Sequence, residues 1–128
     1  LYGIVKAMQF LLVAASGAVG AVLRWRIGVT FSARTFPWST LGINVVGSFV
    51  LAFVLAGPAT NRLSDTTTIA LSVGLLGSFT TFSTFSYESI TLIRDGRMPA
   101  ALAYVALSLA GGLGAAALGY ALGRSLAA

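Results

Sequence analysis

Neither cysteine nor histidine occurs anywhere in the chain. Their absence excludes a disulfide framework, the common transition-metal centres and every histidine-based catalytic set. Acids are almost absent as well, with only Asp65, Glu88 and Asp95, so chemistry that needs paired carboxylates has no residues to run on. Charged side chains make up 9% of the 128 residues, against roughly 25% in soluble domains. So few charges cannot cover a water-facing surface, and the chain reads as an integral membrane protein rather than an enzyme. The net charge of +5 comes from basic residues scattered near segment ends. They form no nucleic-acid-binding stripe and act as orientation signals and snorkelling anchors.

The abundant residues are apolar, and their runs divide the chain (1–128, one domain) into four spans at about 4–23, 41–56, 66–93 and 99–122. The chain length allows about four crossings of roughly 20 residues plus short loops. The apolar core of the first span, Met8 to Leu23, is bracketed by Lys6 and by Arg24-Trp25-Arg26. Its small residues Ala14, Gly17, Gly20 and Ala21 line one face, which lets helices approach closely. A basic start followed by an apolar run also fits a signal peptide, but the remaining segments are equally apolar and give this one helices to pack against. Pro37 breaks the chain before the second span, with Ser39 or Thr40 as a candidate N-cap. Ser64 or Asp65 can cap the third, and Pro99 fits the first turn of the fourth. The third span is longer than a straight crossing needs. It predicts a tilt or a break, most easily at Gly74 or Gly77, with freed carbonyls that must find partners.

With four spans, Lys6, Arg62 and Arg124 share one side, and Arg24, Arg26, Arg34, Arg94 and Arg97 share the other. This bias is weak by the positive-inside rule. It permits insertion in both orientations and hence an antiparallel dimer.

The unusual stretch is Gly77-Ser78-Phe79-Thr80-Thr81-Phe82-Ser83-Thr84-Phe85-Ser86, whose second half repeats Thr-Phe-Ser. Phe79, Phe82 and Phe85 recur at i, i+3 and i+6 and share a slowly drifting helix face. Such a stripe serves either packing or ligand contact, because the edge of a phenyl ring is the positive part of its quadrupole. Thr81, Ser83, Thr84 and Ser86 either bond back to the preceding turn or donate to a ligand. Asn44 either bridges helices or faces a pore. With Tyr104 as a further donor and Arg24 as a positive charge, the set favours an anion over a cation.

At these residues the chain resembles the small bacterial fluoride channels of the Fluc or CrcB family. The most specific element is Thr80-Thr81-Phe82-Ser83-Thr84-Phe85-Ser86 followed by Glu88. Gly17-Ala18-Val19-Gly20-Ala21 leading to Arg24-Trp25, and Thr40-Leu41 leading to Asn44 and Gly47, stand in matching order. The resemblance implies an all-α integral membrane protein with four transmembrane helices, the third broken near its middle. It implies an antiparallel, dual-topology homodimer in the bacterial inner membrane, surrounded by lipid and binding no nucleic acid. The implied activity is passive, selective export of fluoride from the cytoplasm. Phe82 and Phe85 match ring-edge contacts to fluoride, Ser83 and Thr84 a hydroxyl track, and Asn44 a vestibule residue. Tyr104 and Ser108 match fourth-helix positions along the path, and Arg24 an arginine ending the first helix. The carbonyls of Gly77 and Thr80 match ligands of a structural sodium ion (Na+) at the dimer centre. Family members often carry Gly-Gly-Leu where this chain has Gly77-Ser78-Phe79, and glycine where it has Ser39. Ser78 bears on backbone freedom near the break, and Phe79 adds bulk there.

Two other classes compete with a channel. A dual-topology small multidrug-type exporter would use Glu88 for proton coupling, but it needs an acid deep in the membrane. A non-transporting assembly subunit would use the small-residue faces, yet leaves the Thr-Phe-Ser repeat beside Asn44 and Tyr104 unexplained.

Overall fold

Long stretches without proline, rich in alanine and leucine, favour helix, and every regular element among the described residues is helical. The computed structural model describes residues 2–32 and 35–127. Arg34, counted above with the first loop, lies outside them. Helix α1 spans Tyr2–Thr30, α2 Trp38–Ala56, a short α3 Ala59–Arg62, α4 Asp65–Ile69, α5 Gly77–Phe79, α6 Phe82–Arg94 and α7 Met98–Ala127. Residues Ala70–Leu76, between α4 and α5, wind as a π-helix. Four units are long and apolar enough to cross a membrane: Gly3–Thr30, Trp38–Ala56, Asp65–Arg94 and Met98–Ala127.

Helix ends differ from the hydropathy pattern for local reasons. Arg24-Trp25-Arg26 does not end α1, because arginine is a good helix former; the helix continues to Thr30. Helix α2 starts directly after Pro37, and no side chain caps it. Ser39 and Thr40 are therefore inside its first turn rather than at its N-cap. Ser64 does cap α4, accepting the Thr67 N–H at 3.2 Å. Pro99 lies in the first turn of α7, where a missing N–H costs nothing.

The third span is interrupted, but not at a glycine. Thr80 (φ −78°, ψ 157°) and Thr81 (φ −151°, ψ 116°) are extended. That conformation suits a β-branched residue and needs no left-handed backbone. Gly74 is helical instead and serves close approach: a Cβ there would overlap Ser16 Oγ. The left-handed position among the described residues is Gly96 (φ 72°), in the tight turn that folds α6 back against α7.

Helix α2 lies along α7. Their backbones meet where a Cβ at Gly119 would overlap the Phe49 carbonyl, and one at Gly123 would come within 2.7 Å of the Phe53 carbonyl. Helix α1 packs mainly on the π segment and α5. A small core of Leu92, Ala101 and the fully buried Tyr104 joins α6 to α7, with Phe36, Leu41 and Phe85 against it. Elsewhere large apolar side chains point outward, among them Phe10, Leu113 and Phe82. Apolar exposure on this scale fits a lipid or protein environment, not water.

Candidate functional site at the helix break

Breaking a helix releases backbone groups that need new partners. Asn44, on α2, takes two of them. Its Oδ1 accepts the Thr81 N–H at 2.8 Å, and its Nδ2 donates to the Thr81 carbonyl at 3.0 Å. An amide has a second donor hydrogen and further lone pairs, so Asn44 both bridges helices and keeps polar capacity for the adjoining groove. The Thr81 hydroxyl begins α6, accepting the Thr84 N–H at 3.2 Å.

These substitutions have a consequence for the carbonyls before the break. In an unbroken helix the Thr81 N–H would bond the Gly77 carbonyl, and the Thr84 N–H the Thr80 carbonyl. Asn44 and the Thr81 side chain now take those donors. The interruption deprives all four carbonyls from Gly77 to Thr80 of their helical donors, and those of Gly77 and Thr80 are the first and last of that set. Gly77 is exposed on the surface of the single chain.

Two grooves flank the break. One, of about 270 Å³, is lined by Asn44, Gly47, Thr80, Phe82, Phe85 and Ser108, with Thr81 between them. Phe82 is 78% exposed, and its ring centroid lies 5.7 Å from that of Phe85 at 44°. Phe85 continues to Tyr104 at 5.3 Å. Ser108 Oγ is buried and, among the described residues, has no hydrogen-bond partner. Such orphans are rare because an unmet buried hydroxyl costs about 1–3 kcal/mol.

The other groove, of about 630 Å³, takes in Arg24, Thr40, Thr81, Thr84, Glu88 and Arg97. Glu88 is anchored at both oxygens: Thr40 donates to Oε1 at 3.0 Å and Tyr104 to Oε2 at 2.7 Å. Arg97 donates to the Thr35 carbonyl at the rim.

The eight residues assigned to an ion path are thus distributed, not collected. Asn44, Phe82, Phe85 and Ser108 share the smaller groove; Arg24 and Thr84 line the larger. Tyr104 is sealed in the core on Glu88, and Ser83 is exposed, its Oγ 3.3 Å from Thr81 Oγ1. Thr81 lines both grooves and joins them.

The phenylalanine stripe does not survive as one face. The break turns Phe79 into a separate apolar groove with Phe31, Trp38 and Ile43, away from Phe82 and Phe85. Ser86 donates back to Phe82 O at 2.9 Å, so its hydroxyl serves the helix. Spacing alone did not find the Thr40–Glu88–Tyr104 cluster, because its members come from three helices. The signal available was one acid in an apolar chain, which must be paired when partly buried.

The family described as CrcB-like protein, Camphor Resistance (CrcB), matches residues 11–120. A Thermus thermophilus protein named fluoride-specific ion channel FluC is 43% identical over 121 residues, covering 92% of this chain and 97% of its own. Fluoride-specific ion channel FluC 1 of Desulfitobacterium hafniense is 45% identical over 109 residues, covering 84% and 96%. The protein of that name in Bacillus cereus is 40% identical over 125 residues, covering 94% and 91%.

Proposed function

This chain belongs to the CrcB family, and on that premise we propose that it is a passive, fluoride-selective ion channel of the bacterial inner membrane that lowers cytoplasmic fluoride. The observation that carries this reading is the pairing of Ser108 with the phenylalanines. Ser108, whose buried hydroxyl has no partner among the described residues, lines the same groove as Phe82 and Phe85. A small anion there would accept the Ser108 hydrogen and meet ring edges in place of water. Asn44 has an N–H to spare beside it. Ser83 and Thr84 extend the donors from the break towards the larger groove, where Arg24 supplies positive charge at the mouth. Tyr104 acts through Phe85 and Glu88, holding the ring and the carboxylate in place.

The working unit is an antiparallel homodimer. The weak charge bias allows both orientations, and the single chain leaves Phe82 and Gly77 exposed beside the break. The Gly77 and Thr80 carbonyls of each copy would hold a sodium ion at the dimer centre. Both have lost their helical donors, and carbonyl oxygens suit a hard cation. Bound sodium would supply fixed positive charge and tie the two breaks together.

Fluoride efflux from proteoliposomes, with chloride as control, tests the reading. Expected is rapid fluoride loss without chloride loss and without a proton gradient. Absence of fluoride flux, or equal flux of both anions, overturns it.

A further inference from the structure

Helix α1 and the third span are joined by a reciprocal fit that the ion path itself does not use. Ser16 of α1 sits where a Cβ on Gly74 would be, and Ser78 of α5, with the Leu75 carbonyl, sits where a Cβ on Gly20 would be. Each serine thus fills the hollow left by a glycine on the other helix. Both also bond across the gap. Ser16 Oγ lies 2.8 Å from the Ala70 carbonyl and 2.7 Å from that of Leu12 in its own turn. Ser78 Oγ lies 2.8 Å from the Gly17 carbonyl and 2.7 Å from that of Gly74. A hydroxyl has one hydrogen, so the Ser78 proton is shared between its own turn and α1.

The location of Ser78 gives this bond its significance. It lies in the last helical turn before the break, Gly77–Phe79, between Gly77 and Thr80, whose carbonyls are among the four that have lost their donors. This turn ends a helical run that is continuous from Asp65, so its contact with α1 is the last anchor before the chain becomes extended. On its N-terminal side the chain is π-helix, whose wider turns are commonly found at functional sites. On its C-terminal side the chain is extended. The side-chain bond that ties α5 itself to α1 is the one made by Ser78.

The geometry points to Ser78 as a positioning residue: through Gly17 and Gly20 it fixes the rotation of α5, and so the direction in which the Gly77 and Thr80 carbonyls face. The ligand served is the hard cation proposed above, and the inference rests on that reading. Ser78 does not touch the cation. It sets how well two backbone oxygens from each copy are aligned before the ion arrives. Losing one net hydrogen bond of this kind is worth about a five-fold change in an equilibrium.

The test uses the full chain in detergent and in proteoliposomes. Thermal unfolding is followed while sodium replaces a large organic cation at constant ionic strength, for wild type, Ser78→Ala and Ser72→Ala. Ser72 is the control, because its hydroxyl bonds only back to the Thr68 carbonyl at 2.7 Å. Expected is a wild-type Tm that rises with sodium, and a midpoint about five-fold higher in Ser78→Ala. Ser72→Ala should keep the wild-type midpoint. Fluoride flux of Ser78→Ala should recover at high sodium.

A Tm lowered equally at every sodium concentration, with an unmoved midpoint, would make Ser78 an ordinary packing contact and overturn the proposal. A wild-type Tm indifferent to sodium removes the cation and this role with it. Wild-type liposomes that pass no fluoride instead refute the channel reading, an outcome read in a separate assay.

Discussion

Asn44 and Thr81 exchange two hydrogen bonds, N–H to Oδ1 at 2.8 Å and Nδ2 to carbonyl at 3.0 Å, so that a side chain of α2 replaces one turn of helix in the third span. The pair makes the break affordable and leaves the Gly77 carbonyl free. Asn44→Ala should remove both bonds and strand two backbone groups, costing about 2–4 kcal/mol. Asn44→Asp keeps the acceptor but sets a carboxylate against the Thr81 carbonyl. Both variants should lower Tm in detergent and abolish fluoride flux, and Asn44→Asp should be impaired even where it folds.

Ser108 separates stability from transport. Its hydroxyl has no partner among the described residues, so Ser108→Ala should leave Tm unchanged or slightly raised. If the hydroxyl meets the anion, fluoride efflux should fall about ten-fold, the value of one hydrogen bond to a charge. Paired melting and efflux measurements decide it; loss of both together would make Ser108 structural.

Gly47 is needed for space. A Cβ there would overlap Thr80 Cγ2, and crowding of this kind costs about 1–3 kcal/mol. Gly47→Ala should therefore destabilise the chain and distort the break. Adding Thr80→Ser removes the obstructing methyl while keeping the hydroxyl bonded to the Leu76 carbonyl at 3.0 Å. The double variant should recover Tm and flux. Gly42→Ala, with nothing within 4 Å of its added Cβ, should be silent in both assays.

The phenylalanines should fall into three behaviours. Phe82 is exposed beside the groove, so Phe82→Ile should reduce fluoride flux with little loss of stability. Phe85 also packs on Leu92, Ala101 and Tyr104; Phe85→Ile should reduce both. Phe79 lines a different groove, so Phe79→Ile should leave flux nearest to wild type. Equal loss of flux at all three positions would favour packing over ring-edge contact.

The motif from Thr80 to Ser86 was legible because glycine, hydroxyls and rings are out of place in a lipid-spanning run. The position of the break was not. Gly74 and Gly77 carry the lower conformational cost, but the interruption needs only extended backbone, and a threonine accepts that when something caps it. That cap is Asn44, some 37 positions away in sequence, and no local propensity can report it.

Glu88 illustrates the same division. As a single acid among apolar residues it was conspicuous, and its place near a helix end left surface exposure open. Thr40 and Tyr104 decided the matter by closing on its two oxygens from α2 and α7.

What the amino-acid order determined by itself was the solvent, the number of crossings and the residue types at the site, because those follow from composition and apolar run length. The tertiary structure alone decided that the Gly77-to-Ser86 stretch is two elements with different duties. Hydrogen-bond partners drawn from α1, α2 and α7 divide it: Ser78 is tied to α1, Thr81 to α2, and Phe85 packs on α7. Which phenylalanines share a groove, and which carbonyls lack a donor, follow from those long-range partners rather than from spacing.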